Sequence, residues 1–542
     1  MNPDYLIIGA GSAGCVLADR LSKDPSNRVL VLEAGKRPPW WDFRVHMPAA
    51  LTWPLNGRTY NWGYESDPEP HMHGRRVAHP RGKGWGGSSS INGMIFVRGH
   101  PGDYARWAAY QGLERWSYEY CLPYFRRMET WLGGQSPYRG DSGPLKVSVG
   151  RCENVLFGVW LEAGKQAGHR FSEDLNGRRQ EGVCRFDMTV YRGRRMSASR
   201  AYLEPASTRP NLEIRDRTTI SRILFEGSKA VGVEIVGGEV IHAGAVVLCA
   251  GAFNSPQLLQ LSGIGPADAL RKLGIPVVAD LPGVGENLQD HLEIYLQQAC
   301  TQPVSLYPAL KLWRQAFIGL QWYLFSTGLG ASNHFEAGGF IRSNAECTYP
   351  NLQFHFLPVA IRYDGTPQKQ HGFQAHVGPM RSDSRGRVRL RSADPSVAPS
   401  ILFNYLSTDQ DRREWLEAVE KTREIFSQPA FDPYRGEELS PGAGVKSEEE
   451  ILEFVRRNGE SAYHPCGTCR MGYDENAVVD AELSVHGISG LRVVDASVFP
   501  EITNGNLNAP VIMVAEKAAD AILGNTPLEP EAPEAVDAYD IA

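Results

Sequence analysis

The first residues in the chain whose types and spacing carry chemistry are Gly9-Ala10-Gly11-Ser12-Ala13-Gly14, which follow the apolar run Tyr5-Leu6-Ile7-Ile8. Glu33 closes the next apolar run, 24 residues after Gly9, with Ala34 behind it. Glycines so placed let a strand-to-helix turn tighten and let the backbone approach a pyrophosphate resting on the helix N-terminus. The acid at the end of the second strand can then accept from ribose hydroxyls. FAD and NAD share this pattern. A second segment, Arg81-Gly82-Lys83-Gly84-Trp85-Gly86-Gly87-Ser88-Ser89-Ser90-Ile91-Asn92-Gly93, offers backbone N–H groups and hydroxyls to a ribityl chain or isoalloxazine. On composition alone it also reads as a flexible linker. Cys466-Gly467-Thr468-Cys469 has the spacing of a redox or zinc pair, but no second pair stands at metal spacing, so both cysteines read as packing residues and no metal site is expected.

These motifs need strands and helices to hold them. The run through Ile8, a helix over about Ser12–Ser22 and the run RVLVLEAG make a β-α-β unit. Further strand candidates are NLEIR, AVGVEIV and AVVLCAG, and then LRVVDAS near the C-terminus. A dinucleotide-binding domain assembled from separated segments accounts for them. The 542 residues exceed one ordinary compact core, so two domains are expected. Lys plus Arg is 56 against Asp plus Glu of 62, a net charge of −6 that offers no basic excess for nucleic acid. Hydrophobic content of 42% and charged content of 22% describe a globular protein. The N-terminus lacks a basic start and a cleavage site, and no run of about 18 apolar residues occurs. With nine irregularly spaced cysteines, these features make the cytoplasm the expected compartment.

Four motifs in order resemble the glucose–methanol–choline oxidoreductases. They are the N-terminal fingerprint, the RGKGWGGSSSINGMIF segment, Gly251-Ala252-Phe253-Asn254-Ser255-Pro256-Gln257-Leu258-Leu259 with Ser262-Gly263-Ile264-Gly265, and His464-Pro465 followed by Gly467-Thr468. The resemblance covers about residues 4 to 525 and implies FAD. PVSLYPALK, GASNHFEAGGFIRS, FHFLPVAIRYDG, HGFQAHVG and SILFNYLST resemble the choline-oxidising members of bacteria. By that resemblance the chain is expected to oxidise choline to betaine aldehyde by hydride transfer to flavin N5, with glycine betaine as the product of a second oxidation. A related enzyme for an uncharged primary alcohol, and a flavin-binding sensor without turnover, are the competing readings.

An alcohol proton must pass to a group of near-neutral pKa, for which histidine is the natural choice. The resemblance gives this role to His464, with Asn506 as its partner on the alcohol oxygen and His355 as a second active-site histidine; His371 and His376 read as structural. Choline's quaternary ammonium donates no hydrogen bond, so aromatic faces and a carboxylate must recognise it. The resemblance assigns Glu293, Phe335 and Tyr463 to that task, with Trp53 one residue from another cage position. It also carries the cofactor over to Gly86, Gly87, Ser88, Asn92, Gly93, Asp495, Ala496, Asn506 and Leu507. Ile91 stands where choline oxidases carry the histidine that tethers FAD, so the cofactor should be non-covalent. Gly93 stands where they carry serine, which favours a dehydrogenase using a quinone or other acceptor over direct use of O2.

The expected fold is a Rossmann-like FAD-binding unit from residues 1–153, 196–296 and 455–525, with a substrate unit from 154–195 and 297–454 built on an antiparallel sheet flanked by helices. Residues 526–542, rich in Pro, Glu and Ala, read as a frayed tail. The resemblance also implies peripheral association with the inner membrane, although no amphipathic anchor is evident.

Overall fold

The computed structural model describes residues 2–362, 366 and 368–533. Its first sheet is parallel and five-stranded, in the order Leu212–Arg215, Val29–Leu32, Tyr5–Ile8, Ala245–Leu248, Leu491–Val493. Val29–Leu32 is buried at every position, as a strand covered on both faces must be. The crossover helix Ser12–Leu21 packs against Asn508–Leu523 near the C-terminus. AVGVEIV does not join this sheet: Lys229–Ile235 pairs antiparallel with Ile220–Glu226 and Val240–His242, because Gly227 closes a turn too short for a crossover.

The second sheet has eight strands. Its order is Arg435–Ser440, Leu292–Cys300, Gly372–Pro379, Leu352–Leu357, Ala337–Ile341, Gly182–Arg185, Phe171–Ser172, with Glu460–Ser461 pairing the start of Leu292–Cys300. All pairs but the last are antiparallel. Leu292–Cys300 lies wholly in this sheet, so residues 292–296 belong with it rather than with the first unit.

Strand alternation divides the faces of the second sheet by chemistry. Leu292, Ile294 and Leu296, Leu352, Phe354 and Phe356, and Phe373, Ala375 and Val377 form a core with helices Val155–Gln166 and Asp409–Phe426. The residues between them, Glu293, Tyr295 and Gln297, Gln353 and His355, and Gln374 and His376, therefore point to the opposite face. Tyr295 lies opposite His376, which lies opposite His355.

The expected tail is docked over its first residues. Leu528 packs against the first core and its N–H donates to the Tyr124 hydroxyl at 3.1 Å, Glu531 N–H donates to Glu119 O at 3.0 Å, and Glu531 pairs with Arg126. One half-buried leucine and these bonds outweigh the polar composition around them. Residues 534–542 lie outside the described residues.

Candidate active site

A cavity of about 1610 Å3 is lined at one end by the fingerprint and at the other by the polar face of the eight-stranded sheet. At the first end Gly9 has φ +99°, and a Cβ there would lie 2.6 Å from Cys249 O. A Cβ on Gly87 would lie 2.7 Å from the Gly11 Cα, so the two glycine loops meet backbone to backbone. Helix Ser12–Leu21 begins at Gly11 without a side-chain cap, which leaves its first amides for an anion. The Ser12 hydroxyl donates to Asn508 Oδ1 at 2.7 Å.

Glu33 does more than face a ribose. Its Oε2 accepts from Ala10 N–H at 2.8 Å, and its Oε1 accepts from Gly35 at 2.7 Å and Gly84 at 2.9 Å, so the carboxylate ties both loops together. Burial pushes its pKa up against these bonds. One lone pair on Oε2 remains for a hydroxyl.

Ala13, Ala34, Ser88, Asn92, Gly93, Ala496 and Leu507 also line the cavity. Asp495 lines it while accepting from Gly251 N–H, the Ser255 hydroxyl and Ser497 N–H, which fixes the start of helix Gly251–Leu261. Gly14 and Gly86, expected as cofactor contacts, do not line the cavity, and packing holds each to glycine. A Cβ on Gly14 would sit 1.9 Å from Gly9 O, and one on Gly86 would sit 2.2 Å from the Ser90 hydroxyl. This cradle, long, glycine-floored and lined by uncapped amides and one spare acceptor, fits a flavin dinucleotide.

His464, Asn506 and His355 converge at the other end. The His464 loop is clamped: its N–H donates to Asp290 Oδ1 at 2.7 Å, Arg81 donates to Tyr463 O at 2.7 Å, and Tyr463 is held at φ +67°. A non-glycine residue in the left-handed region persists only where its surroundings force it.

The hydrogen-bond chain around His464 assigns its proton. Met380 O can only accept, so His291 Nε2, at 2.9 Å, carries a hydrogen. In a neutral ring His291 Nδ1 is then an acceptor, and it lies 3.0 Å from His464 Nδ1, which must donate. His464 Nε2 is left as the lone pair, 3.1 Å from the Asn506 amide nitrogen. Burial, then the neighbouring His291, His355 and Arg81, hold the His464 pKa well below the ordinary imidazole value. Burial lowers His291 and His355 to about 4. All three rings are therefore neutral at neutral pH, the state a proton acceptor needs. His355 Nε2 is buried with no hydrogen-bond partner among the described residues, beside Asn506. Sequence reasoning gave His291 no role; it is 173 residues from His464 in the chain.

Glu293 and Phe335 share this end with Tyr463. Glu293 Oε1 is 3.2 Å from His376 Nδ1, and its Oε2 is 4.0 Å from His355 Nδ1. Burial raises the carboxyl's pKa, but His376, His355 and Tyr295 together hold it below the ordinary value, so it stays ionised. The Phe335 ring stands edge-on to His355 and His376 at 6.0 and 5.5 Å. His376, expected to be structural, thus touches the key carboxylate, whereas His371 bonds the Ser305 hydroxyl away from the cavity. Trp53 lies at the cavity's edge, 57% exposed and packed on Phe43. Cys466 and Cys469 are buried free thiols whose pKa burial pushes well up, consistent with packing roles.

Comparison with known proteins adds lineage to this geometry. The chain is 58% identical over 533 residues to an oxygen-dependent choline dehydrogenase of Burkholderia multivorans, covering 97% of this chain and 94% of that one. It is 55% identical over 537 residues to a protein of the same name from Staphylococcus xylosus, covering 97% and 96%. Among solved structures it resembles a pyridoxine 4-oxidase from Mesorbium loti, at 33% identity and TM-score 0.88 over 97% of this chain and all of that one. It also resembles a formate oxidase from Aspergillus oryzae, at 27% identity and TM-score 0.90 over 96% and 98%. The GMC oxidoreductase family models match residues 3–293 and 382–515, and the chain belongs to that family.

Proposed function

We propose that this protein oxidises choline to betaine aldehyde with FAD held non-covalently. The observation that carries the reading is an ionised, buried carboxylate, Glu293, in the same aromatic-walled end of the cavity as a histidine whose Nε2 is an unprotonated lone pair. A buried charge without a cationic substrate would be a net cost; choline's ammonium supplies the missing partner. Relatives sharing more than half of this sequence carry choline dehydrogenase in their names.

FAD, when bound, supplies the acceptor for the hydride leaving the carbinol carbon. Glu293 holds the ammonium by charge, and Phe335 and Tyr463 hold it through their ring faces. His464 Nε2 accepts the hydroxyl proton, while the Asn506 amide, with the neutral His355 ring beside it, donates to the oxygen as it gains charge. A hydrated aldehyde presents the same C–OH group to the same base, so the site also serves the second oxidation to glycine betaine. Incubating holoprotein with choline and following aldehyde and betaine by NMR tests both steps; a lack of aldehyde formation refutes the reading.

Ile91 is 2% exposed, packed with Val45 and Tyr60, and cannot bond covalently to flavin. Acid or heat is therefore expected to release intact FAD into the supernatant. Yellow precipitated protein with a flavin-peptide mass would contradict this.

The proposed acceptor route runs through a membrane quinone to O2. It reconciles Gly93 with the oxygen-dependence named in the relatives, and a surface feature supports it. In helix Leu312–Phe325 only Trp322 is buried, with Leu312 85%, Phe317 66% and Phe325 69% exposed. Residues 294–335 contain no acid, while Lys311 and Arg314 add positive charge. Trp53, Leu320 and Tyr323 of this surface line the cavity. No helix among the described residues is long and apolar enough to cross a membrane, but an apolar, basic-flanked helix suits the bilayer interface. Wild-type protein is expected to sediment with anionic vesicles, and Trp313→Glu with Phe317→Glu to remain in the supernatant. Equal sedimentation of both, or none by wild type, would contradict the surface.

A further inference from the structure

We propose that His376 is the positioning residue that keeps Glu293 charged and aimed at a cation, and that Tyr295 shares the ammonium subsite with it. The inference rests on Glu293 being the counter-charge, and it extends that site to two residues not so far given a role in recognition.

Several groups around His376 can hydrogen-bond in only one way. Ile361 N–H donates to Gln374 Oε1 at 2.8 Å, which fixes the Gln374 amide. Gln297 agrees: its Nε2 donates to Ile361 O at 2.6 Å and to Gln374 Oε1 at 2.8 Å. The other end of the Gln374 amide is therefore its NH2, 2.7 Å from His376 Nε2. An NH2 only donates, so His376 Nε2 bears the lone pair and the ring hydrogen sits on Nδ1, aimed at Glu293 Oε1.

Two consequences follow for the carboxylate. It receives a directed donor, which favours its ionised form in a buried place. It receives that donor from a neutral ring, so its charge is not cancelled as an imidazolium at the same distance would cancel it. Tyr295 completes the arrangement: its ring stacks on His376 with centroids 3.7 Å apart, it is a side-chain partner of Glu293, and it lines the cavity. The register places all of them together, since Tyr295 lies opposite His376 and Gln297 opposite Gln374 on the sheet's polar face.

His376→Leu removes the donor and keeps an apolar side chain of similar bulk. Its apparent Kd for choline is expected to rise about tenfold, the scale of a lost hydrogen bond to a charged group. Its Kd for 3,3-dimethyl-1-butanol, the uncharged isostere of choline, should rise far less, so that the ratio of the two affinities carries the effect. His376→Asn, whose amide can occupy the place of Nδ1, should restore most of the preference for choline. In histidine-selective 15N spectra of the holoprotein, the resonances that disappear in His376→Asn should be those of a neutral ring protonated on Nδ1. An unchanged choline-to-analogue ratio in His376→Leu, no recovery in His376→Asn, or an imidazolium or Nε2-protonated signature in the spectra would each overturn the proposal. Glu293→Gln separates the failures: if it too leaves the ratio unchanged, the ammonium site itself is wrong, and if it alone collapses the ratio, only the role of His376 is.

Discussion

Replacing His464 by alanine is expected to slow anaerobic reduction of the flavin by choline by about 10²-fold or more, the usual scale for loss of a positioned general base. His464 Nδ1 is committed to His291, whose own ring is committed to Met380 O, so Nε2 is the nitrogen that takes the alcohol proton once the alcohol oxygen replaces it as the acceptor of the Asn506 amide. Alanine also leaves the Asn506 amide without its acceptor. Rapid-mixing absorbance of the oxidised flavin measures the effect directly, with unchanged FAD content as the control for folding. His291→Phe removes the acceptor that sets the tautomer and keeps the base; the expected loss is smaller than that of His464→Ala. A near-normal rate in His464→Ala would transfer the base to His355, whose Nε2 is unpartnered in the same space.

Glu293→Gln should weaken choline far more than 3,3-dimethyl-1-butanol. The two alcohols have nearly the same shape, so contacts with Phe335, Tyr463 and Tyr295 largely cancel between them, and the charge remains. A carboxylate about 4 Å from a cation at an effective dielectric of about 20 gives about 4 kcal/mol of attraction. Stripping water from the ammonium takes back part of that, which leaves a preference of at least about tenfold to be lost. Glutamine keeps the size and can still meet His376. Equal ratios of Kd in mutant and wild type would place the ammonium elsewhere.

The cofactor end was legible in the sequence because its signal is local: six residues of glycine pattern after an apolar run and an acid after the next. What those residues do there was only partly legible. The amides that occupy Glu33 come from Ala10, Gly35 and Gly84, and Gly14 is glycine because Gly9 O lies against it. The His464–His291 pair could not be read from spacing, since it forms only when the Asp290 carboxylate clamps the loop around Tyr463.

The ammonium end carried a signal that went unused. Glu293-x-Tyr295-x-Gln297, Gln353-x-His355 and Gln374-x-His376 alternate with apolar residues in three strands, and polar residues at period two in buried strands mark a sheet facing a polar cavity. That pattern would have moved His376 from the structural residues to the site. The apolar run in Leu312–Phe325 was visible too, but composition does not say whether such a helix is covered; the fold leaves it bare.

The central claim is that this cavity oxidises a cationic alcohol, and anaerobic mixing of wild-type holoprotein with choline and with 3,3-dimethyl-1-butanol tests it most directly. Choline is expected to bleach the oxidised flavin at a saturating rate, with an apparent Kd at least about tenfold below that of the neutral analogue. Flavin that stays oxidised under choline, or that is reduced with equal affinity by both alcohols, would contradict the account.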